Sequence, residues 1–141
     1  MGKDLKALIR LRRFEVDECQ RMLGELYRAE AELNDREAGL DAAMVREETF
    51  ARENPAMGFT LGAYVSRYLA DKAALAEHRR RLDAALSDAQ DNLADAFRAL
   101  KVVEISQENR DRREREERDQ KEQKTLDEIG LTLHRRRKLR E

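Results

Sequence analysis

Almost everything that would build an enclosed active site is scarce in this chain. It has no tryptophan, 5% aromatic residues, one proline (Pro55), one cysteine (Cys19) and two histidines. A lone cysteine excludes an intramolecular disulfide and a four-cysteine metal site. No run approaches the ~20 apolar residues of a membrane-spanning helix, and the N-terminus carries charge through its first twenty positions instead of the apolar core of a secretory signal. No glycine-rich phosphate loop occurs, and His78 and His134 are far apart in the chain. The expectation is therefore a cytoplasmic protein that is not an enzyme, has no catalytic residues, metal or cofactor, and does not insert directly into a membrane.

Charge is what the chain has in abundance: 42% of its 141 residues, balanced to a net charge of −1, against roughly 25% charged residues in an ordinary globular domain. With so few aromatics, burial has to come from a narrow stripe of Leu, Val and Ala. Such a stripe runs twice through the sequence at alternating steps of three and four. The first pass is Leu5, Ile9, Arg12, Val16, Cys19, Leu23, Leu26, Glu30, Leu33, Glu37, Leu40, Met44. The second is Leu61, Val65, Tyr68, Lys72, Leu75, Arg79, Leu82, Leu86, Ala89, Leu93, Ala96, Leu100, Val103. One apolar seam with charge on every other face is the pattern of a coiled coil. The fold class read from it is all-α: a long two-helix antiparallel coiled-coil hairpin with a C-terminal helical overhang, in one domain spanning 1–141.

The spacing predicts helix 1 over about 3–53, a turn at 54–59, helix 2 over about 60–133 and a basic tail at 134–141. Asp4 is a candidate N-cap of the first helix, and Pro55 disfavours helical geometry at Asn54 and ends it. Gly58 supplies freedom in the turn, Thr60 is a candidate cap of helix 2, and Phe59 with Tyr64 occupies the two positions of a hydrophobic staple. Gly24, Gly39 and Gly62 fall off the seam.

A turn this short makes the helices antiparallel neighbours, and folding about position 56 pairs residues whose numbers total about 112. The resulting layers include Ile9 with Val103, Val16 with Ala96, Cys19 with Leu93, Leu23 with Ala89, Leu26 with Leu86 and Met44 with Tyr68. The same register gathers four of the five charged seam residues, Glu30, Glu37, Lys72 and Arg79, in the middle layers. There each acid can meet a base and the basic stems can lie along Leu33 and Leu40. This reading makes the middle of the hairpin soft, with Leu33 contributing less than Leu23, and casts the four charges as a lock on register.

Beyond Val103 helix 1 has no residues left to pair. Ser106 to Thr125 contains no apolar residue, while Glu108/Arg112, Asp111/Arg115, Glu114/Arg118 and Glu117/Lys121 have the favourable i,i+4 order for a solvated single helix. Leu126, Ile129 and Leu133 then restart an apolar stripe with no internal partner, followed by five Lys/Arg among the seven residues His134–Arg140. An uncovered stripe of this kind calls for a partner. A second candidate surface lies near the turn, where Tyr64, Asp71 and His78 recur every seven residues close to Met57 and Phe59.

Several blocks together resemble the FliJ family of flagellar export proteins. They are Val16-Asp17-Glu18, Leu23-Gly24-Glu25-Leu26, Tyr64 and Glu77-His78-Arg79 after the turn, and Gln123-Lys124-Thr125-Leu126-Asp127-Glu128-Ile129 before a basic terminus. The resemblance covers nearly the whole chain in length, hairpin position and terminal block. It implies an antiparallel two-helix rod similar to the central stalk of rotary ATPases, monomeric outside its complex. It also implies a cytoplasmic component of the type III export apparatus, associated peripherally with the flagellar basal body at the inner membrane.

In that family the terminal half of the rod enters the hexameric export ATPase ring and promotes its assembly and activity. The partners implied are the flagellar export ATPase and its regulator, the cytoplasmic domain of the export-gate membrane protein, and the export chaperones that the family helps recycle. Carried over by position, the ATPase-binding residues are Leu126, Asp127, Glu128, Ile129 and Leu133. For the gate, His78 matches, while Arg36, Leu40, Arg67 and Ala74 stand where the family has other residues, including aromatics. The gate set is accordingly Leu40, Tyr64, Tyr68 and His78.

Three other readings fit parts of the chain. A stalk from a virulence-type secretion system would share the fold and the ATPase contact. A generic coiled-coil scaffold or chaperone arm would bind several unfolded clients. Nucleic-acid binding through the terminal basic run is opposed by the acidic balance of Glu114 to Glu128, and no nucleic-acid partner is expected.

Overall fold

The computed structural model describes the backbone of residues 2–140 and the side chains of residues 5–140. Two helices account for nearly all of it: α1 (Gly2–Glu53) and α2 (Leu61–Arg140), joined by a 3-10 turn at Pro55–Thr60. The two long helices pack against each other as the expected all-α hairpin.

Pro55 ends α1 as the sequence suggests. Its ring excludes the αR conformation at Asn54, which takes φ −128° and ψ 73°. The Asn54 N–H still donates to the Phe50 carbonyl at 2.9 Å, and its side-chain amide donates to the same oxygen at 3.1 Å. The Met57 N–H then donates to the Asn54 carbonyl at 2.9 Å and opens the 3-10 turn.

The remaining end signals do not act as expected. The 3-10 turn feeds α2 directly, with the Leu61 N–H on the Gly58 carbonyl, so the first amide of α2 has an acceptor without a side-chain cap. Thr60 instead donates its hydroxyl to the Met57 carbonyl at 3.2 Å. Phe59 is 80% exposed and forms no staple with Tyr64. Gly58 does not have a positive φ, nor does any other described residue. Asp4 lies inside α1, which begins by Gly2, so it is not the N-cap; its side chain lies outside the described residues. At the other end α2 continues as helix through Arg140, seven residues past the expected end at 133, while Glu141 is outside the described residues.

The chain gathers into two compact units. One is residues 13–97, the two helical arms on either side of the turn. Its buried residues, Val16, Leu33, Met44, Leu82, Leu86 and Ala89, are all seam positions. Leu33, at 2% exposure the most enclosed, forms a cluster with Leu82 and Leu86, with Leu23, Leu26, Ala29 and Leu75 packed around it. The soft middle expected at Leu33 is thus corrected: Leu33 is the centre of the core, and Leu23 is half-buried at its edge.

Polar contacts between the arms fix the register. Asp41 with Tyr68, Glu37 with Lys72, Asp41 with Lys72, Asn34 with Arg79, Glu37 with Arg79 and Tyr27 with Gln90 have residue numbers totalling 109 to 117. The helices run antiparallel, and the pairing rule of about 112 lies inside that interval.

The other unit consists of the start of α1 through Arg12 and α2 from Arg98 onward. Leu100 and Val103 are buried there, and Leu5, Leu8 and Ile9 are half-buried. From Glu108 to Arg140 every side chain is exposed. The four i,i+4 pairs expected in this stretch are not closed; Arg118 Nε instead donates to the Glu114 carbonyl at 3.4 Å. Gln107 and Gln123 each reach an aspartate one turn on, at 2.9 and 3.2 Å, and the hydroxyls of Thr125 and Thr132 return to carbonyls four residues back. Among the described residues no helix is long and apolar enough to cross a membrane.

Candidate docking surfaces

Three surfaces follow from how the helices place their side chains. The first is a polar ladder across the 13–97 unit. Tyr68 donates its hydroxyl to Asp41 Oδ1 at 2.6 Å, and Lys72 Nζ donates to Asp41 Oδ1 at 3.1 Å and Glu37 Oε1 at 3.2 Å. Arg79 donates to Glu37 Oε2 at 2.8 Å and Asn34 Oδ1 at 2.7 Å. The Lys72 ammonium also stands 6.0 Å from the centroid of the Tyr68 ring, at the outer limit of a cation–π contact.

Three of the four charges of the middle layers therefore meet, but Glu30 makes no ion pair among the described residues. The register sets Leu82 opposite Glu30, whereas the Glu37 layer has Lys72 on one side and Arg79 on the other. Asp41 and Asn34, just off the seam, take the contacts left over. The Tyr68 hydroxyl, followed by Lys72, holds the Asp41 carboxyl below its ordinary pKa, and Glu37 is lowered by hydrogen bonds from Arg79 and then Lys72. A tyrosinate has no hydrogen to donate to Asp41, so the Tyr68 phenol is pushed up by this same bond.

The second surface is a shallow apolar dent lined by Arg36, Gly39, Leu40, Asp71, Ala74 and Leu75. At 100° per residue the ladder residues Asn34 and Asp41 project to one side of the α1 seam and Arg36 and Gly39 to the other. Gly39 and Ala74 both line the dent, and neither has a side chain large enough to cover the flanks of Leu40 and Leu75. A Cβ built on Gly39 meets nothing within 4 Å.

Of the residues expected to meet the gate, Leu40 lies in this dent. His78 lines an adjoining depression with Ala74, Glu77, Arg81 and Leu82. Tyr68 is separated from them, since its hydroxyl is committed to Asp41, and Tyr64 is half-buried nearer the turn. The sequence reading missed Gly39, although Ala74, which lines the same dent, was in hand.

The third surface is the end of α2. Leu126, Ile129 and Leu133 are 51% to 62% exposed, and their spacing sets them on one helical flank, while Asp127 and Glu128 project to other sides of the helix. Leu131 and Leu139 are exposed on other sides of the helix. Gly130, Leu133, His134, Arg136, Arg137 and Arg140 line an open trough along the same flank. Comparison with protein-family models, curated proteins and solved structures yields no match to this chain.

The described residues hold no cluster of three or more His, Cys, Asp or Glu placed to bind a metal ion. Cys19 is half-buried on the seam. The chemistry available at these surfaces is that of docking: apolar knobs, a small-residue dent and arginine donors.

Proposed function

We propose that this chain is a stalk and chaperone-escort component of a type III protein export apparatus of the flagellar kind. The observation that carries the reading is the end of α2, an exposed helix bearing Leu126, Ile129 and Leu133 on one flank, none of them a seam position. Isolated exposed apolar residues are ordinary, but three at helical spacing on one flank of an exposed helix form a ready-made helix-in-groove ligand. The resemblance of the Gln123 to Ile129 block to the FliJ family names the groove: the central opening of the hexameric export ATPase. The charged flanks suit a helix that must enter a ring and still turn or leave.

The dent at Gly39 and Ala74, with His78 alongside, is the surface best suited to the cytoplasmic domain of the export-gate protein. Tyr68 is a poor gate residue, because engaging its hydroxyl would break the bond to Asp41. A virulence-type stalk would use the same two surfaces, and genomic neighbours separate these alternatives. The direct test is retrieval from the source organism with the full chain as bait. Recovery of a hexameric ATPase, identified by mass, supports the reading; recovery of diverse unfolded clients and no ATPase replaces it with a general chaperone arm.

A further inference from the structure

The apolar flank of the terminal helix does not stop at Leu133. Continuing by steps of three and four, the same flank runs Leu126, Ile129, Leu133, Arg137, Arg140, with Arg136 at its edge. Leu133 and these three arginines line one trough. Arg135 and Lys138 are absent from that lining and, at 100° per residue, point to other sides of the helix. The flank is therefore composite: an apolar half followed by a guanidinium half, about 21 Å in all at ~1.5 Å per residue.

Resting on the ring-docking reading above, we propose that the partner's socket is composite as well. It has an apolar band that receives Leu126, Ile129 and Leu133, and a set of carboxylates one to two helical turns further on that receive Arg137 and Arg140. Arginine's planar fork matches carboxylates in two-point contacts and keeps its charge when desolvated. A nucleic-acid partner fits less well, because the acidic residues Glu122, Asp127 and Glu128 share this end of the helix and no Phe, Tyr or Trp follows Phe97 to stack a base. A lipid surface fits less well too, since Leu131 and Leu139 lie off the flank and no single broad apolar face forms.

Cations in the last turn of a helix also stabilise it through its dipole, and that explanation makes no distinction between sides of the helix. The test exploits this. Full-length Arg137→Gln/Arg140→Gln is compared with Arg135→Gln/Lys138→Gln, which removes the same charge from the other sides. Equilibrium binding to purified hexameric flagellar export ATPase is measured at several salt concentrations, with helicity followed by circular dichroism.

The composite socket predicts that the flank pair weakens binding about tenfold or more at low salt and flattens its salt dependence, while the off-flank pair stays within about twofold. Equal losses in both pairs, or no loss in the flank pair, overturn the carboxylate socket. Equally tight, salt-sensitive binding of the wild type to a mixed-sequence RNA oligonucleotide also overturns it. Leu126→Asp/Ile129→Asp separates the two levels of inference. If that variant still binds the ring, ring docking through this flank fails; if it loses binding while the flank arginine pair does not, only the carboxylate half is wrong.

Discussion

Tyr68 of α2 donates its phenolic hydrogen to Asp41 of α1 at 2.6 Å, and Lys72, one turn along α2, donates to the same carboxylate oxygen at 3.1 Å. This pairing ties the two arms in the layers that the register assigns to Met44 and Leu40. It turns a register set loosely by leucines into one set by identified partners.

The first prediction concerns pH. Asp41 and Glu37 both have carboxyl pKa values lowered in the folded state, so the unfolded chain binds their protons more tightly. Their contribution to stability is complete above the ordinary values of 3.8 and 4.5 and is lost as pH falls through the lower folded values. Urea midpoints of the wild type should exceed those of Glu37→Gln/Asp41→Asn at neutral pH and converge with them as pH falls toward about 2. A gap that stays constant over that range would remove the electrostatic role of the ladder.

Leu33→Ala should be the costlier of two core truncations. Leu33 is 2% exposed at the centre of the Leu82/Leu86 cluster, and Leu23 is half-buried at its edge. Buried Leu→Ala changes cost about 2–5 kcal/mol, more where the cavity cannot collapse, which sets Leu33 near the top of that range and Leu23 near or below the bottom. Chemical denaturation of the two variants decides it, and a larger loss at Leu23 would contradict the packing.

The seam, the turn and the antiparallel register were legible in the sequence because each depends on spacing: apolar steps of three and four, one Pro55, and a loop too short for any other topology. What the sequence hid was choice among neighbours. Glu30 and Glu37 look equivalent on the seam, yet only Glu37 has bases on both sides of its layer. Leu33 looked diluted by charge, but the polar heads swing to the flank and leave it enclosed. Thr60 and Phe59 looked like a helix start, and a 3-10 turn made both unnecessary. The dent at Gly39 required reading the two passes against each other, since neither Gly39 nor Ala74 is informative alone. The terminal apolar flank was visible, but its continuation into Arg137 and Arg140 needed helix through Arg140, where a tail was expected.

Register can be tested by cross-linking. In a Cys19→Ser background, Val16→Cys/Ala96→Cys should oxidise readily to a disulfide and Val16→Cys/Ala89→Cys should not, because the second pair is displaced by about two turns, ~10 Å along the axis. Formation of the second alone would shift the register by a heptad. Adding Glu37→Ala/Asp41→Ala should raise the yield of the wrong pair if the ladder locks the register.

Gly39→Ala should stabilise the hairpin by roughly 0.5–1 kcal/mol, since alanine is the better helix former and a Cβ there meets nothing within 4 Å. The same methyl narrows the dent beside Leu40, so a more stable protein with weaker binding to the cytoplasmic domain of the gate protein is the expected outcome. Unchanged gate binding would move that contact away from the dent.

The central claim is that the end of α2 docks in the export ATPase through its apolar flank, and turnover of that ATPase measures it most directly. Wild-type chain should stimulate hydrolysis, and Leu126→Asp/Ile129→Asp should abolish stimulation while circular dichroism and the urea midpoint of the hairpin stay at wild-type values, because both residues are exposed and neither is a seam position. Full stimulation by the folded double variant would contradict the claim.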